Sequence, residues 1–341
     1  MRFYMYVSVS GEDRIGLFEV DPETGRLDRR GDIAVPGKPY PLALDPHGRH
    51  LYVGRSAVNE ISSFRIDPST GQPSLIGTVG LESDPCYLAL DRTGRYLLSA
   101  YYGAGVAAVH AIGEDGAVVG PPIEWVDLAP GAHCVQTDPS NRFAYVPSIA
   151  GSNGDNLIFQ FKFDEGTGRL TPNLPSRVTP EEEAGPRHFC FHPNMDVVYF
   201  SNEQGSSVTA YNLDPSAGTV AAFQTVSTLP EGYVGLNHCS QIQISPSGRF
   251  LYAPNRGHNS IACFSVDATS GLLTPTQRVP TEPAPRAFSL DPEGNFLYAA
   301  GEESGRLASY RVDPASGGLE PLKVYDVGQA PMWVLIAGLE S

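Results

Sequence analysis

Leu44-Asp45-Pro46-His47-Gly48-Arg49-His50-Leu51-Tyr52-Val53 decides the fold, because the chain repeats it. The pattern returns as Asp91-Arg92-Thr93-Gly94-Arg95-Tyr96-Leu97-Leu98 and as Asp138-Pro139-Ser140-Asn141-Arg142-Phe143-Ala144-Tyr145. It returns again from His192-Pro193 to Tyr199, from Ser245-Pro246-Ser247-Gly248 to Tyr252, and from Asp291-Pro292-Glu293-Gly294 to Tyr298. The anchors at 45, 91, 138, 192, 245 and 291 are 46, 47, 54, 53 and 46 residues apart. A repeat of this length, built from short apolar runs and tight turns, is the signature of a β-propeller.

Each anchor is a turn between two apolar runs. Pro presets φ for the turn and Gly supplies the positive φ that closes it. Runs that are apolar almost throughout suit strands buried on both faces. About twenty residues later comes an alternating run ending in Asp-Pro-x-Thr/Ser-Gly, as in Ile61-Ser62-Ser63-Phe64-Arg65-Ile66-Asp67-Pro68-Ser69-Thr70-Gly71. Its alternation predicts a third strand with one more exposed face. One unit is therefore an inner strand, a turn, a second strand, a third strand, a hairpin and an outer strand.

The hairpin motif occurs seven times, with glycines at 25, 71, 116, 168, 218, 271 and 317. Pro331-Met332-Trp333-Val334-Leu335-Ile336 is a seventh inner strand lacking a second strand, and Phe3-Tyr4-Met5-Tyr6-Val7-Ser8-Val9 is a second strand lacking an inner one. The two ends complete one blade between them, which leaves no long open sheet edge. The expectation is an all-β, seven-bladed propeller forming a single domain over residues 1–341, closed by its N- and C-terminal strands.

With 36 Gly and 30 Pro in 341 residues, the composition suits short strands and turns. The opening residues read as a strand rather than a charged leader with an apolar core, so a cytoplasmic chain is the expectation. Five cysteines, at 86, 134, 190, 239 and 263, with no C-x-x-C, argue against a disulfide framework or a zinc site. A net charge of −15 argues against nucleic acid and anionic membranes as partners. A site for an anionic small molecule has to be a local cluster of Arg. A closed propeller needs no partner for its edges, so a monomer or weak homo-oligomer is expected.

In this topology the start of each inner strand and the end of each second strand share one rim. The inner strands start at Tyr40, Cys86-Tyr87, His133-Cys134, Arg187-His188, His238 to Gln241, Arg286 and Met332-Trp333. The second strands end at Arg55, Tyr101-Tyr102, Ser148, Asn202-Glu203, Asn255-Arg256 and Gly301-Glu302. Polar, charged and aromatic residues converge there on an apolar scaffold, the pattern of a small-molecule site. Simpler readings stand beside this one. Arg187 could cap a carbonyl, Glu203 could merely pair with Arg187, His133 could be a satisfied buried histidine, and Glu302 and Glu303 could be loop charges. Asp45, Asp91, Asp138 and Asp291 read as turn residues. His47, His50 and His192 belong to the opposite face. No Gly-rich phosphate loop, Gly-x-Ser-x-Gly elbow or His-Glu-x-x-His motif is present.

Gly131-Ala132-His133-Cys134, Gly185-Pro186-Arg187-His188-Phe189-x-Phe191-His192-Pro193, Ser201-Asn202-Glu203, Pro254-Asn255-Arg256-Gly257-His258-Asn259 and Gly328-Gln329-Ala330-Pro331-Met332-Trp333 carry a resemblance. The chain resembles the seven-bladed propeller lactonases, a family that includes bacterial propeller-type 6-phosphogluconolactonases and fungal carboxy-cis,cis-muconate cyclases. The resemblance implies a rim site in which Glu203, Arg187 and His133 are catalytic. Arg256 matches the family's further arginine and Arg286 lies on the same face, both expected as anion clamps; His188, His238, Tyr102 and Asn202 are expected to contact substrate from their places on the rim. The resemblance implies hydrolysis of a sugar-derived or carboxylated, anionic lactone. The same residues run as a cycloisomerase give a muconate cyclase, and a non-enzymatic binding propeller is a third reading. No cofactor is implied, and a divalent ion beside Glu203 is left open. Ala100-Tyr101-Tyr102-Gly103 and Asn237-His238 depart from the family's pattern.

Overall fold

A computed structural model describes residues 1–151 and 154–340. Among the described residues the strands form seven antiparallel sheets, arranged as the blades of a propeller. Six blades run from inner to outer strand in chain order, as in Pro186–Phe191, Val197–Asn202, Ser207–Asp214 and Thr219–Ser227. The seventh joins the last strand, Pro331–Leu339, to Arg2–Val9, Arg14–Val20 and Leu27–Ala34. The pairing of Arg2–Val9 with Pro331–Leu339 closes the ring, Tyr6 lying opposite Leu335. Ser10–Glu12 forms a three-residue turn of helix, and no helix among the described residues is long and apolar enough to cross a membrane.

The repeated turn works as its residues require. Asp45, Asp91, Asp138 and Asp291 each accept a backbone N–H five residues on, from His50, Tyr96, Phe143 and Phe296. The tyrosine seven residues after the anchor does more than fill an apolar run. The hydroxyls of Tyr52, Tyr199, Tyr252 and Tyr298 donate to the hairpin carbonyls of Gly116, Gly271, Gly317 and Gly25 in the next blade. Tyr6 makes the same bond to Gly71 at 2.7 Å. A buried bond of this kind contributes about 1 kcal/mol, and here it is repeated around the ring. The hairpin glycine is needed twice over. Gly25 has φ 71°, and a Cβ there would lie 2.3 Å from the Phe296 ring.

Two expectations change. The third strands are buried almost throughout, as in Glu60–Ile66, because neighbouring blades sandwich them on both faces. Exposure instead dominates the outer strands, such as Pro73–Gly80, where the wedge between blades opens. The inner strands of the third and fifth blades are also interrupted, reduced to Gln136–Thr137 and to the pair His238–Cys239 and Gln243–Ile244. Their glutamines bridge to the inner strand of the next blade: Gln136 donates to Phe189 O, Gln241 accepts from Phe288 N, and Gln243 accepts from Leu290 N. Side-chain amides thus satisfy backbone groups at inner edges that no further strand covers. All five cysteines are free thiols, four of them buried.

Candidate functional site

Four inner strands begin with one local device. Lys38, Gly185, Ala284 and Ala330 have positive φ, and each precedes a proline that opens a strand, at Pro39, Pro186, Pro285 and Pro331. Immediately after that proline the register of each strand shifts by a bulge. A bulge leaves its extra residue out of the ladder and re-aims its side chain. Those residues are Arg187, Arg286 and Met332, and in the first strand the bulge spans Tyr40 and Pro41, so the backbone irregularity falls where rim chemistry is expected.

Arg187 is only 1% exposed, and its Nε lies 2.6 Å from Glu203 Oε2. The same oxygen lies 3.2 Å from Arg256 Nη2, which also donates to Cys239 O at 2.9 Å. One carboxylate oxygen therefore sits between two guanidiniums. Burial pushes the Glu203 carboxyl up, but the charges of Arg187 and Arg256, with a contribution from Arg286, hold it below the usual carboxylate range. Burial, and the nearby charge of Arg187, lower the pKa of Arg256 against the pull of Glu203. Nε and Nη1 of Arg187 and Nε of Arg256 are buried with no hydrogen-bond acceptor. The 2.6 Å contact is thus an ion pair rather than a well-aligned N–H···O bond.

Beside this cluster the channel is ringed with aromatic side chains. The His133 ring centroid lies 5.2 Å from that of His188 and 5.5 Å from that of Tyr102. His188 packs on Tyr87 at 5.0 Å and on Trp333 at 6.0 Å, and Trp333 meets Tyr40 at 6.0 Å. His133 Nδ1 and His188 Nε2 are buried without partners, so neither histidine is a satisfied core residue. Burial, followed by the charge of Arg187, holds both well below the usual imidazole range, and both are neutral at physiological pH. Below them a cavity of about 340 Å³ occupies the channel on the turn side, lined by residues such as Leu44, Leu90, Gln243 and Leu335. Tyr87, His188 and Trp333 also line it, which makes them the partition between rim and channel.

The structure thus brings Arg187, Glu203 and Arg256 into contact and sets His133, His188 and Tyr102 in one aromatic wall. It gives Asn202 other partners: its amide nitrogen donates to Ser207 and Thr209 within the blade. His238 is exposed at the rim, paired through the backbone with Arg256. Arg286 hydrogen-bonds Tyr40 through two nitrogens, and Glu302, read above as a loop charge, stands 3.6 Å from its third. Tyr40 escaped the sequence reading as a site residue; the signal was its place after Pro39, which it shares with Arg187 and Arg286. Among the described residues no three His, Cys, Asp or Glu side chains gather as a metal group. The surroundings of Glu203 do not suit a divalent ion, since two arginines already lie within 3.2 Å of one of its oxygens.

The model of a family described as seven-bladed β-propeller lactonases matches residues 4–336. A protein of Pectobacterium carotovorum named 6-phosphogluconolactonase is 36% identical over 338 residues, covering 99% of this chain and 86% of the relative. One of the same name from Yersinia pestis is 33% identical over 341 residues, all of both chains. The solved structure of a periplasmic gluconolactonase from Pseudomonas aeruginosa superposes over the whole of both chains with TM-score 0.91 at 25% identity. The chain belongs to the seven-bladed β-propeller lactonase family.

Proposed function

We propose that this member of the propeller lactonases hydrolyses a lactone at the rim of its channel, and that the substrate is an anionic, sugar-derived lactone of the 6-phosphogluconolactone type. One observation carries the reading. In a chain of net charge −15, two arginines share a single carboxylate oxygen and still hold buried N–H groups without acceptors. Unpaired buried donors are costly, and an oxygen that arrives with developing negative charge relieves that cost. The names of the relatives support hydrolysis and favour neither the muconate-cyclase nor the binding-protein reading.

In this reading the lactone carbonyl oxygen lies against Arg187. Glu203, ionised at neutral pH, orients a water with the oxygen that the arginines leave free and takes its proton as the water attacks. Charge on the tetrahedral oxyanion is met by Arg187. The ring C–O bond then breaks, and the leaving alkoxide takes the proton back from Glu203. The product carboxylic acid ionises, so each turnover releases one proton to solvent. Neutral His133 stands beside Arg187 as the alternative proton carrier. Arg256 and Arg286 hold the substrate's anionic group, a contact that Arg makes well through two parallel N–H bonds. A cytoplasmic location and a monomeric or weakly homo-oligomeric state belong to the same proposal.

Acid release from freshly prepared 6-phosphoglucono-, glucono- and muconolactones tests the assignment. Catalysed release from at least the phosphorylated lactone supports it. No release from any of them contradicts it.

A further inference from the structure

Arg286 is held differently from Arg14, Arg55 and Arg306, which stand at strand ends on the same face. Arg14 is closed by Glu12 at 2.7 Å and Asp32 at 2.8 Å, Arg306 by Glu282 at 2.9 Å, and Arg55 by Glu60. Those cations are neutralised in contact. Arg286 instead donates through Nε and Nη2 to the hydroxyl of Tyr40, at 3.2 and 2.9 Å, and lies over the Tyr40 ring with Cζ 5.3 Å from its centroid. A phenol fixes the direction of the fork without cancelling its charge. The remaining nitrogen, Nη1, faces Glu302 Oε2 at 3.6 Å, beyond hydrogen-bond length.

Tyr40 is itself held rigidly. It is buried, it meets the edge of Trp333 at an interplanar angle of 75°, and its carbonyl accepts from Ser8 Oγ at 3.0 Å. Ser8 belongs to the strand that closes the ring. The charge of Arg286 bears on Glu203 and Arg256, so it belongs to the same electrostatic site. A cation aimed by a neutral group, with its remaining corner in a long, 3.6 Å ion pair with a carboxylate, is poised to exchange that carboxylate for a better anion. A phosphate brings more charge and more acceptor oxygens than Glu302. A neutral lactone brings nothing that would displace it.

We propose that Tyr40 and Glu302 set which lactones the site accepts: Tyr40 is a positioning residue that aims Arg286 at the substrate's anionic handle, and Glu302 is the internal competitor that the handle displaces. The proposal rests on the lactonase reading and assigns the handle within it.

The test compares kcat and KM of the wild type, Tyr40→Phe and Glu302→Gln on 6-phosphogluconolactone and on glucono-δ-lactone. Tyr40→Phe is expected to raise KM for the phosphorylated lactone about tenfold, with kcat and the neutral lactone changed by less than about twofold. Glu302→Gln, which alters a half-exposed side chain and keeps its shape, is expected to lower KM for the phosphorylated lactone alone. Parallel changes on both lactones, or no change in KM in either variant, overturn the proposal. If the wild type hydrolyses neither lactone, the underlying reading fails, and this proposal falls with it.

Discussion

Arg187 Nε lies 2.6 Å from Glu203 Oε2, across the rim ends of adjacent strands of one blade. Each residue makes the other tolerable in a buried place. Burial alone would raise the Glu203 pKa, and Arg187 is the foremost of the charges that reverse this. The pair therefore keeps a carboxylate ionised and a guanidinium oriented where water has little access.

Arg187→Ala should cost both activity and stability. Losing the group assigned to the oxyanion lowers kcat by about 10²–10³-fold. Glu203 would keep Arg256 at 3.2 Å but lose its closer partner, and breaking a buried pair from one side costs about 3 kcal/mol. Urea unfolding with steady-state kinetics measures both losses. Unchanged stability contradicts the pairing argument.

The Glu203 pKa shift fixes the sign of an acid limb. Its depressed carboxyl stays ionised to lower pH than an unperturbed glutamate would, so the acid limb of kcat/KM should lie below that of an ordinary carboxylate. Removing one of the charges responsible, as in Arg256→Gln, moves the limb to higher pH. A pH profile of kcat/KM on glucono-δ-lactone, corrected for spontaneous hydrolysis, measures the displacement. A limb that stays in place or moves to lower pH contradicts the assignment.

His110 should make the fold acid-sensitive. It is fully buried, both ring nitrogens lack partners, and burial lowers its pKa from 6.5 to about 4. The unfolded state thus binds the proton first. Stability is unaffected above pH 6.5 and falls as pH drops towards 4, by about 3 kcal/mol in all. His133 and His188 act in the same direction. The His110→Leu variant isolates one contribution: its urea midpoint should fall less than that of the wild type between pH 7 and pH 4.5. Equal falls contradict the claim.

The tyrosine ties between blades allow an internal control. Tyr298→Phe deletes the buried bond to Gly25 O and should destabilise by about 1 kcal/mol. Tyr145 occupies the same place in its repeat, but its buried hydroxyl has no partner, so Tyr145→Phe should be neutral or stabilising. Equal losses in the two variants contradict the role given to the hydroxyl.

The blades were legible because the turn chemistry recurs at nearly constant spacing, and ring closure was legible because the terminal runs complement each other. Arg187, Glu203 and Arg256 were legible because charged residues in apolar strand ends stand out. What the linear pattern hides is direction. Nothing in Asn202-Glu203 tells that one side chain turns into the blade, to Ser207 and Thr209, while its neighbour meets two arginines. Nor does Tyr40 announce a bond to a residue 246 positions away. Nor do the apolar runs around Tyr52, Tyr199, Tyr252 and Tyr298 announce that their hydroxyls act on a neighbouring blade. The missed local signal was the proline that opens the strand, Pro39, Pro186 or Pro285, directly before Tyr40, Arg187 and Arg286.

Acid release from fresh 6-phosphogluconolactone by the wild type and by Glu203→Gln, near neutral pH, tests the central claim most directly. Catalysed release by the wild type and a fall of about 10²-fold or more in the variant, with the melting temperature showing a folded protein, is the predicted result. Equal rates in the two proteins would contradict the assignment of Glu203 and of the rim as the site of hydrolysis.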